Sequence, residues 1–265
     1  MQRLTVDAAG VRTSLIDTGR GRPTILVHGT SSSAETGWAP ILARLAEGRR
    51  CLVPDLAGSG LSVDDGSALT LERLVGQVEA VAALAEGEAL DLVGYSLGGV
   101  VAAAAAARLA GQVRRLVVLG GWAATDLRMR VQFDLWQALA RTDRTQLARL
   151  LLLNGVSERF FAASDPSLVE TVLARFATGL APGSDRQAAL DAIVDIRACL
   201  PAVRAATLVI GLAQDRLVPP GHCRALAQAV PGARYEEIDC GHLVMLEQPE
   251  RLLERIERHL EERHD

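Results

Sequence analysis

Residues 94–99 read Gly-Tyr-Ser-Leu-Gly-Gly, between the apolar run Leu90-Asp91-Leu92-Val93 and an alanine run at 102–107. A short apolar run is typical of a buried strand, and consecutive alanines are typical of a helix. The pattern G-x-S-x-G between a strand and a helix predicts a sharp turn that lifts the serine off the strand end. Glycines on both sides of it let neighbouring backbone pass close to the turn. Ser96 is therefore the first candidate for a reactive side chain.

The same alternation of strand and helix patterns extends along most of the chain. Strands are predicted at 3–7, 11–17, 24–27, 51–53, 90–93, 113–119, 207–211 and 234–238. Helices are predicted at 37–47, 70–86, 97–110 and 247–263. Strands that read as continuous apolar runs and alternate with helices predict an α/β fold, with a mostly parallel central sheet covered by helices on both faces.

One interval, residues 122–200, shows helical periodicity and no convincing strand. An insertion of helices between two strands of a parallel sheet is most simply a cap over the carboxyl edge of the sheet. That edge is where open α/β sheets bind ligands. We therefore expect a core formed by residues 1–121 and 201–265, with residues 122–200 as a helical cap.

Composition limits the classes of function. The chain has 265 residues, 49% of them hydrophobic, and a net charge of −4, so it has no broad basic surface for nucleic acid or anionic lipid. It has no apolar run of about 18 residues and no apolar leader at its N-terminus, which predicts a cytoplasmic protein outside the membrane. The four cysteines lack ligand spacing, and neither a metal nor a cofactor motif is present, so no cofactor is expected.

A serine hydroxyl needs a base to take its proton, and histidine is the usual one. Of the five histidines, His242 follows the last predicted strand, at the same sheet edge as Ser96. His222 lies at a predicted helix start, whereas His259 and His264 fall on the terminal helix, which we expect to be solvated. His242 is therefore the predicted base.

The carboxylate that orients this base is expected at another strand end. Asp215 follows the strand at 207–211 and precedes His242 by 27 residues. Asp126, shortly after the strand at 113–119, is the competing candidate, and Asp55 is a third that better suits a role in loop structure. Asp215 is the preferred acid.

The order Ser96, Asp215, His242 resembles that of the α/β-hydrolase fold family, and the resemblance spans nearly the whole chain. Three further blocks match the family: His28-Gly29-Thr30, the glycine-rich residues 55–62, and the elbow at 94–99. The serine in the elbow departs from the dehalogenase and epoxide-hydrolase branches, which use a carboxylate nucleophile. The resemblance therefore indicates the serine-nucleophile branch, similar to esterases, thioesterases and lactonases.

The resemblance also implies an oxyanion hole. It assigns one backbone N–H to Thr30, after the His-Gly turn, and the other to Leu97, after the nucleophile. His28 then shapes the turn and does not titrate, and residues 55–62 have a structural role. We expect the serines at 31–33 to form a flexible loop.

These residues predict a serine hydrolase that cleaves an ester, thioester or related acyl bond of a small molecule. C–C hydrolysis, elimination and acyl transfer on the same triad remain open, as does the less favoured class of non-catalytic ligand receptor. Aromatic side chains concentrate in the predicted cap and are candidates for lining the substrate pocket: Trp122, Phe133, Trp136 and Phe160. The sequence does not indicate the oligomeric state.

Overall fold

A computed structural model describes residues 1–262 of the chain and contains one eight-stranded sheet. Its strands are β1 (Gln2–Ala8), β2 (Val11–Thr18), β3 (Arg22–Val27), β4 (Arg49–Pro54), β5 (Leu90–Tyr95), β6 (Val113–Leu119), β7 (Ala206–Leu212) and β8 (Arg234–Ile238). Their order is β1-β2-β4-β3-β5-β6-β7-β8, and only the pairs β1–β2 and β2–β4 are antiparallel. The sheet is thus the mostly parallel one that the sequence predicts.

Helices follow each strand from β3 onward, whereas short turns join β1 to β2 and β2 to β3. The helices are α1 (Ala34–Gly37), α2 (Ala39–Leu45), α3 (Leu71–Ala83), α4 (Leu97–Arg108), α5 (Leu127–Thr142), α6 (Arg144–Gly155), α7 (Glu158–Ala163), α8 (Pro166–Gly179), α9 (Ser184–Asp191), α10 (Pro220–Ala229), α11 (Val244–Glu247) and α12 (Pro249–Glu261). The helix predicted at 37–47 corresponds to α2, which is shorter at both ends, whereas α1, capped by Ser33, was not predicted.

The chain reverses its direction of travel across the sheet at β3. From β3 it moves outward to β4 and then returns to pair β5 on the other side of β3, with Val27 opposite Gly94. Such a switch point opens a crevice at the carboxyl ends of the two adjacent strands. The His28-Gly29 turn and Ser96 therefore begin at neighbouring strand ends.

Alternate residues of the strands pack into two apolar layers. On one face, Ile25 and Leu92 pack with residues of α3, α4 and α10. On the other, Leu26 and Val93 pack with residues of α2 and α12. Because both faces are covered, the strands are apolar throughout, as parallel strands require.

The terminal helix α12 corrects one expectation. His259 was expected to be solvated, but it is 2% exposed and its Nε2 lies 3.0 Å from the carbonyl oxygen of Ala206 on β7. It shares the buried side of α12 with Ile256 and Leu260, and burial lowers its pKa to about 4. His264 lies outside the described residues. None of the helices in the described part of the chain has the length and apolar character needed to cross a bilayer.

Candidate active site

Ser96 occupies a strained turn between β5 and α4. Its φ is +57°, a conformation that costs a residue with a side chain roughly 1–3 kcal/mol. The flanking glycines make the turn possible, since a Cβ on Gly94 would lie 2.2 Å from the carbonyl oxygen of Gly98. A Cβ on Gly98 would lie 2.1 Å from the carbonyl oxygen of Val27. The motif thus packs the elbow directly against the end of β3.

The structure brings Ser96, His242 and Asp215 into one hydrogen-bonded chain. The Nε2 atom of His242 lies 3.1 Å from Ser96 Oγ, and its Nδ1 atom lies 2.5 Å from Asp215 Oδ2. A carboxylate only accepts hydrogen bonds, so Nδ1 carries the proton and Nε2 presents its lone pair to the serine. This is the tautomer that a general base needs.

The carboxylate of Asp215 is itself held in place. Its Oδ1 accepts hydrogen bonds of 2.8 Å from the amides of Leu217 and Val218, in the turn after β7. Asp215 is 4% exposed, His242 5% and Ser96 9%. The serine is therefore the most accessible of the three.

The two competing carboxylates lie elsewhere. Asp126 caps α5 through the amide of Met129, and its other oxygen lies 3.1 Å from Nε2 of His222. Asp55 is fully buried and accepts from the amides of Ala34 and Leu61, so it ties α1 to the glycine-rich loop.

Tyr95, the variable residue before the serine, also contacts the base. Its hydroxyl donates a 2.5 Å hydrogen bond to the carbonyl oxygen of His242. Its ring stacks on the imidazole with the centroids 5.2 Å apart. Burial raises the pKa of the phenol, which keeps it a donor. The motif allows any residue at this position, so the sequence alone did not indicate this role.

The His28-Gly29 turn approaches the serine from β3. A Cβ on Gly29 would lie 2.9 Å from Ser96 Cβ. His28 is fully buried, and burial lowers the pKa of its imidazole. Its Nε2 accepts a hydrogen bond from the amide of Leu56. Its Nδ1 therefore carries the hydrogen and donates to the carbonyl oxygen of Gly29. His28 is therefore neutral and fixes the turn. Among residues 1–262, neither the amide of Thr30 nor that of Leu97 donates a hydrogen bond within the protein.

The serine loop after this turn, which we expected to be flexible, is anchored at Ser31 by three hydrogen bonds. Ser31 has a φ of +65° and is 6% exposed. Its amide donates to Gln187 Oε1 at 2.8 Å, its carbonyl accepts from the amide of Ala181 at 3.0 Å, and its hydroxyl accepts from Nε1 of Trp136 at 3.1 Å. All three partners belong to residues 122–200, which we call the inserted segment. Because these partners are far from Ser31 along the chain, local sequence patterns could not predict the contacts.

Beside this loop lies Asp191, the last residue of α9 and a group that the sequence analysis did not single out. Its Oδ2 lies 2.5 Å from Thr30 Oγ1. Its Oδ1 is buried and has no hydrogen-bond partner within residues 1–262. Burial, weakly opposed by the bond from Thr30, raises the pKa of this carboxyl to about 8.

A second anchor joins the inserted segment to the loop that carries the base. The amide of Leu243 donates to the carbonyl of Gly155 at 2.7 Å. Glu247 accepts from the amides of Gly241 and Ser157, at 2.8 and 3.0 Å. The inserted segment is thus bonded to both loops that flank Ser96.

The aromatic residues of the inserted segment fall into two groups. Trp122, Phe133 and Trp136 form a buried row, with 5.5 Å between the first two rings and 6.1 Å between the last two. Phe160 is partly buried in a separate cluster that also contains Leu243, the neighbour of His242. Their role as substrate contacts stays a prediction.

No cluster suited to a metal ion occurs in the part of the chain described: no three His, Cys, Asp or Glu side chains lie close enough to share one. The cysteines at 51, 223 and 240 are buried, and burial raises the pKa of each thiol. They act as small apolar side chains.

Comparison with known proteins places this site in a family context. A sequence model of the alpha/beta hydrolase family matches residues 24–255. The chain is 36% identical to a pyrrolizixenacetamide deacetylase from Xenorhabdus hominickii, over 89% of each chain. It is 32% identical to a 2-hydroxymuconate semialdehyde hydrolase from Pseudomonas putida, over 96% of this chain and 92% of that one. An esterase from Thermogutta terrifontis superimposes with a TM-score of 0.84, at 26% identity and 98% coverage of both chains.

Proposed function

Because this chain belongs to the α/β-hydrolase family, we propose that it is a serine hydrolase that cleaves an acyl bond of a small organic molecule. The observation that carries the proposal is the chain of hydrogen bonds from Ser96 through His242 to Asp215. The similarity to a deacetylase and to an esterase supports amides and esters as substrates, and thioesters stay a prediction from the sequence.

The reaction begins with attack by Ser96 Oγ on the carbonyl carbon of the substrate. His242 Nε2 takes the serine proton as the new C–O bond forms, and the negatively charged Asp215 stabilises the resulting imidazolium. The amides of Leu97 and Thr30 donate to the tetrahedral oxyanion, and one such donor is worth about 2.7–4 kcal/mol of barrier. The start of α4 adds the positive end of its helix dipole.

The second half of the reaction regenerates the serine. The imidazolium gives its proton to the leaving group, and the C–X bond breaks to leave an acyl-serine. A water then attacks the acyl carbon while His242 takes its proton, and the same proton returns to Ser96 as the acid product departs. Hydrolysis therefore places one solvent oxygen in the product.

We assign the inserted segment the role of a cap over the strand ends. Its bonds to Ser31 and to Leu243 support this, because they reach the loops on either side of Ser96. Phe160 shares an apolar cluster with Leu243, the neighbour of His242, which supports a contact between Phe160 and the acyl or leaving group. An apolar substrate would suit a pocket lined by such residues.

C–C bond hydrolysis is the second candidate, favoured by the similarity to the 2-hydroxymuconate semialdehyde hydrolase. It uses the same triad with a carbon leaving group, whereas elimination or acyl transfer adds no solvent oxygen to the product. A non-catalytic receptor would not need the base to face the serine, and the 3.1 Å contact between His242 and Ser96 weighs against one.

Turnover in ¹⁸O-labelled water separates these reactions. Purified protein is given a panel of acyl esters, thioesters, acetamides and vinylogous 1,5-diketones, and the products are analysed by mass spectrometry. Acyl hydrolysis predicts one labelled oxygen in the released acid from an ester, a thioester or an acetamide, and no turnover by Ser96→Ala. Turnover of the diketones alone would favour the second candidate, and unlabelled products would contradict hydrolysis.

A further inference from the structure

Asp191 and Thr30 form a contact that the triad mechanism does not use. The two residues are 161 positions apart, and the fold brings Asp191 Oδ2 within 2.5 Å of Thr30 Oγ1. Thr30 is also the residue to which the proposed function assigns an oxyanion amide. Its neighbour Gly29 touches the serine, since a Cβ there would lie 2.9 Å from Ser96 Cβ. Thr30 therefore joins Asp191 to the turn that packs against Ser96.

The surroundings of Asp191 decide its protonation state. The side chain is fully buried, and its Oδ1 has no hydrogen-bond partner among the described residues. An ionised carboxylate in such a place needs a cation or several donors, because desolvation costs several kcal/mol. One threonine hydroxyl is too little to stabilise the ionised form, so the neutral acid is the stable form at neutral pH.

Neighbouring charges do not offset this burial. Within residues 1–262 no charged side chain contributes to the pKa of Asp191. Arg130 and Asp134 of α5 are exposed, and the His28 imidazole is neutral. The other charged groups of α5 and α9 have partners elsewhere: Asp126 with His222, Arg128 with the carbonyl of Arg216, Arg141 with Asp185, and Arg186 with Asp64.

A neutral acid has one hydrogen to donate, and its position follows from the contacts. On Oδ1 the hydrogen would have no acceptor, whereas on Oδ2 it meets Thr30 Oγ1. A buried donor without an acceptor is unfavourable, so the hydrogen lies on Oδ2. Thr30 Oγ1 is then the acceptor, and its own hydrogen remains available. Within the described chain the Thr30 hydroxyl makes no other hydrogen bond.

We propose that Asp191, in its neutral form, is a positioning residue that holds Thr30 Oγ1 as an acceptor and so leaves the Thr30 hydroxyl hydrogen free to donate to the acyl oxygen bound at Ser96. The oxyanion hole then has a third donor, a side-chain hydroxyl beside the two backbone amides. When Asp191 ionises, the direction of this hydrogen bond reverses, because the Thr30 hydroxyl then donates to the Asp191 carboxylate. The ionised carboxylate also adds a negative charge near the developing oxyanion.

The sign of the pH dependence follows. Below about pH 8 Asp191 is neutral and the third donor is present, and above it the carboxylate takes that donor away. The wild-type kcat is therefore expected to fall as the pH rises through about 8. This inference rests on the proposed function, because it needs a reaction that forms an oxyanion at Ser96.

Asp191→Asn is the main test. The asparagine keeps the size of the side chain, cannot ionise, and has an amide N–H to donate to Thr30 Oγ1. We expect it to lose the fall in kcat near pH 8. Asp134→Asn makes the same chemical change at an exposed position of α5 and keeps the wild-type pH profile.

Thr30→Val and Thr30→Ser test the donor itself. Valine has the shape of threonine without its hydroxyl, and loss of one oxyanion donor lowers kcat by about 10²–10³. Because the donor acts in the transition state, KM changes little and kcat carries the loss. Serine restores the hydroxyl and most of kcat. In the double variant Thr30→Val/Asp191→Asn the alkaline fall is absent and kcat equals that of Thr30→Val.

A spectroscopic readout is independent of turnover. We expect difference infrared spectra of the wild type and Asp191→Asn at neutral pH to show a protonated carboxyl C=O band from Asp191, and we expect the band to disappear as the pH passes about 8. If the proposed function is wrong, Ser96 has no activated chemistry but this band persists. If Ser96 reacts and the band is missing, or Asp191→Asn keeps the alkaline fall, or Thr30→Val matches the wild type, the inference is overturned and the hydrolase proposal stands.

Discussion

The Tyr95 hydroxyl is 2.5 Å from the carbonyl oxygen of His242, and the two rings stack. Tyr95 thus fixes the backbone and the ring plane of His242. The proposed mechanism requires such restraint, because a misdirected imidazole loses its contact with the serine.

Tyr95→Phe keeps the stacked ring and removes the hydroxyl. The carbonyl of His242 then keeps only the hydrogen bond from the amide of Val244, so we expect the free energy of unfolding to fall by about 0.5–1.5 kcal/mol. We also expect a lower kcat with little change in KM. Urea unfolding and steady-state kinetics measure the two effects. An unchanged kcat would show that stacking alone positions the base.

Asp215→Asn tests which carboxylate orients His242. The amide leaves the local shape intact but favours the wrong imidazole tautomer, a change that lowers kcat by about 10⁴ in a triad of this kind. Asp126→Asn is the matched control, because Asp126 contacts His222 and not His242. It is expected to retain kcat. A large loss in the control with none in Asp215→Asn would reverse the assignment.

Gly98→Ala tests the close packing under the elbow. The added methyl group would lie 2.1 Å from the carbonyl oxygen of Val27, so β3 and the start of α4 must separate. Moving backbone at this position costs free energy, so we expect loss of activity and a clear fall in the melting temperature. Gly221→Ala, in α10, has no atom within 4 Å of the new methyl group and serves as the control. It is expected to be neutral or slightly stabilising.

Asp191 also predicts a pH dependence of stability. Its pKa in the folded protein is about 8, above the value of 3.8 for an exposed carboxyl. Between these values the unfolded chain releases a proton that the folded chain keeps, so stability is full below the lower value and falls with rising pH up to the higher one. Each unit of pKa difference corresponds to about 1.4 kcal/mol.

Asp191→Asn removes that fall. The free energy of unfolding, measured with urea at about pH 5 and about pH 8, should drop less in the variant than in the wild type. Asp134→Asn, at an exposed position, controls for the change of net charge. Equal slopes for the wild type and Asp191→Asn would show that Asp191 ionises normally in the folded state.

The sequence predicted the fold and the residues of the triad for a physical reason. Strand and helix periods are local, and the parallel sheet brings the carboxyl ends of its strands to one edge, so Ser96, Asp215 and His242 could be placed together without coordinates. The sheet and its family are confirmed. The catalytic roles stay proposals, supported by the geometry.

Contacts between distant segments could not be predicted in this way. The bond between Thr30 and Asp191 and the three bonds to Ser31 join the loop after β3 to the inserted segment. Nothing in the local pattern of residues 31–33 distinguishes a loop anchored by hydrogen bonds from a flexible one. His259 was misplaced for a similar reason, since its side of α12 faces β7.

The central claim is that Ser96 is an activated nucleophile. The most direct measurement is treatment of the purified protein with a fluorophosphonate probe, followed by peptide mass spectrometry, with Ser96→Ala and His242→Ala in parallel. We expect one adduct, on Ser96 of the wild type, that is absent from Ser96→Ala and strongly reduced in His242→Ala. A folded wild-type protein that stays unlabelled, or that is labelled equally without His242, would contradict it.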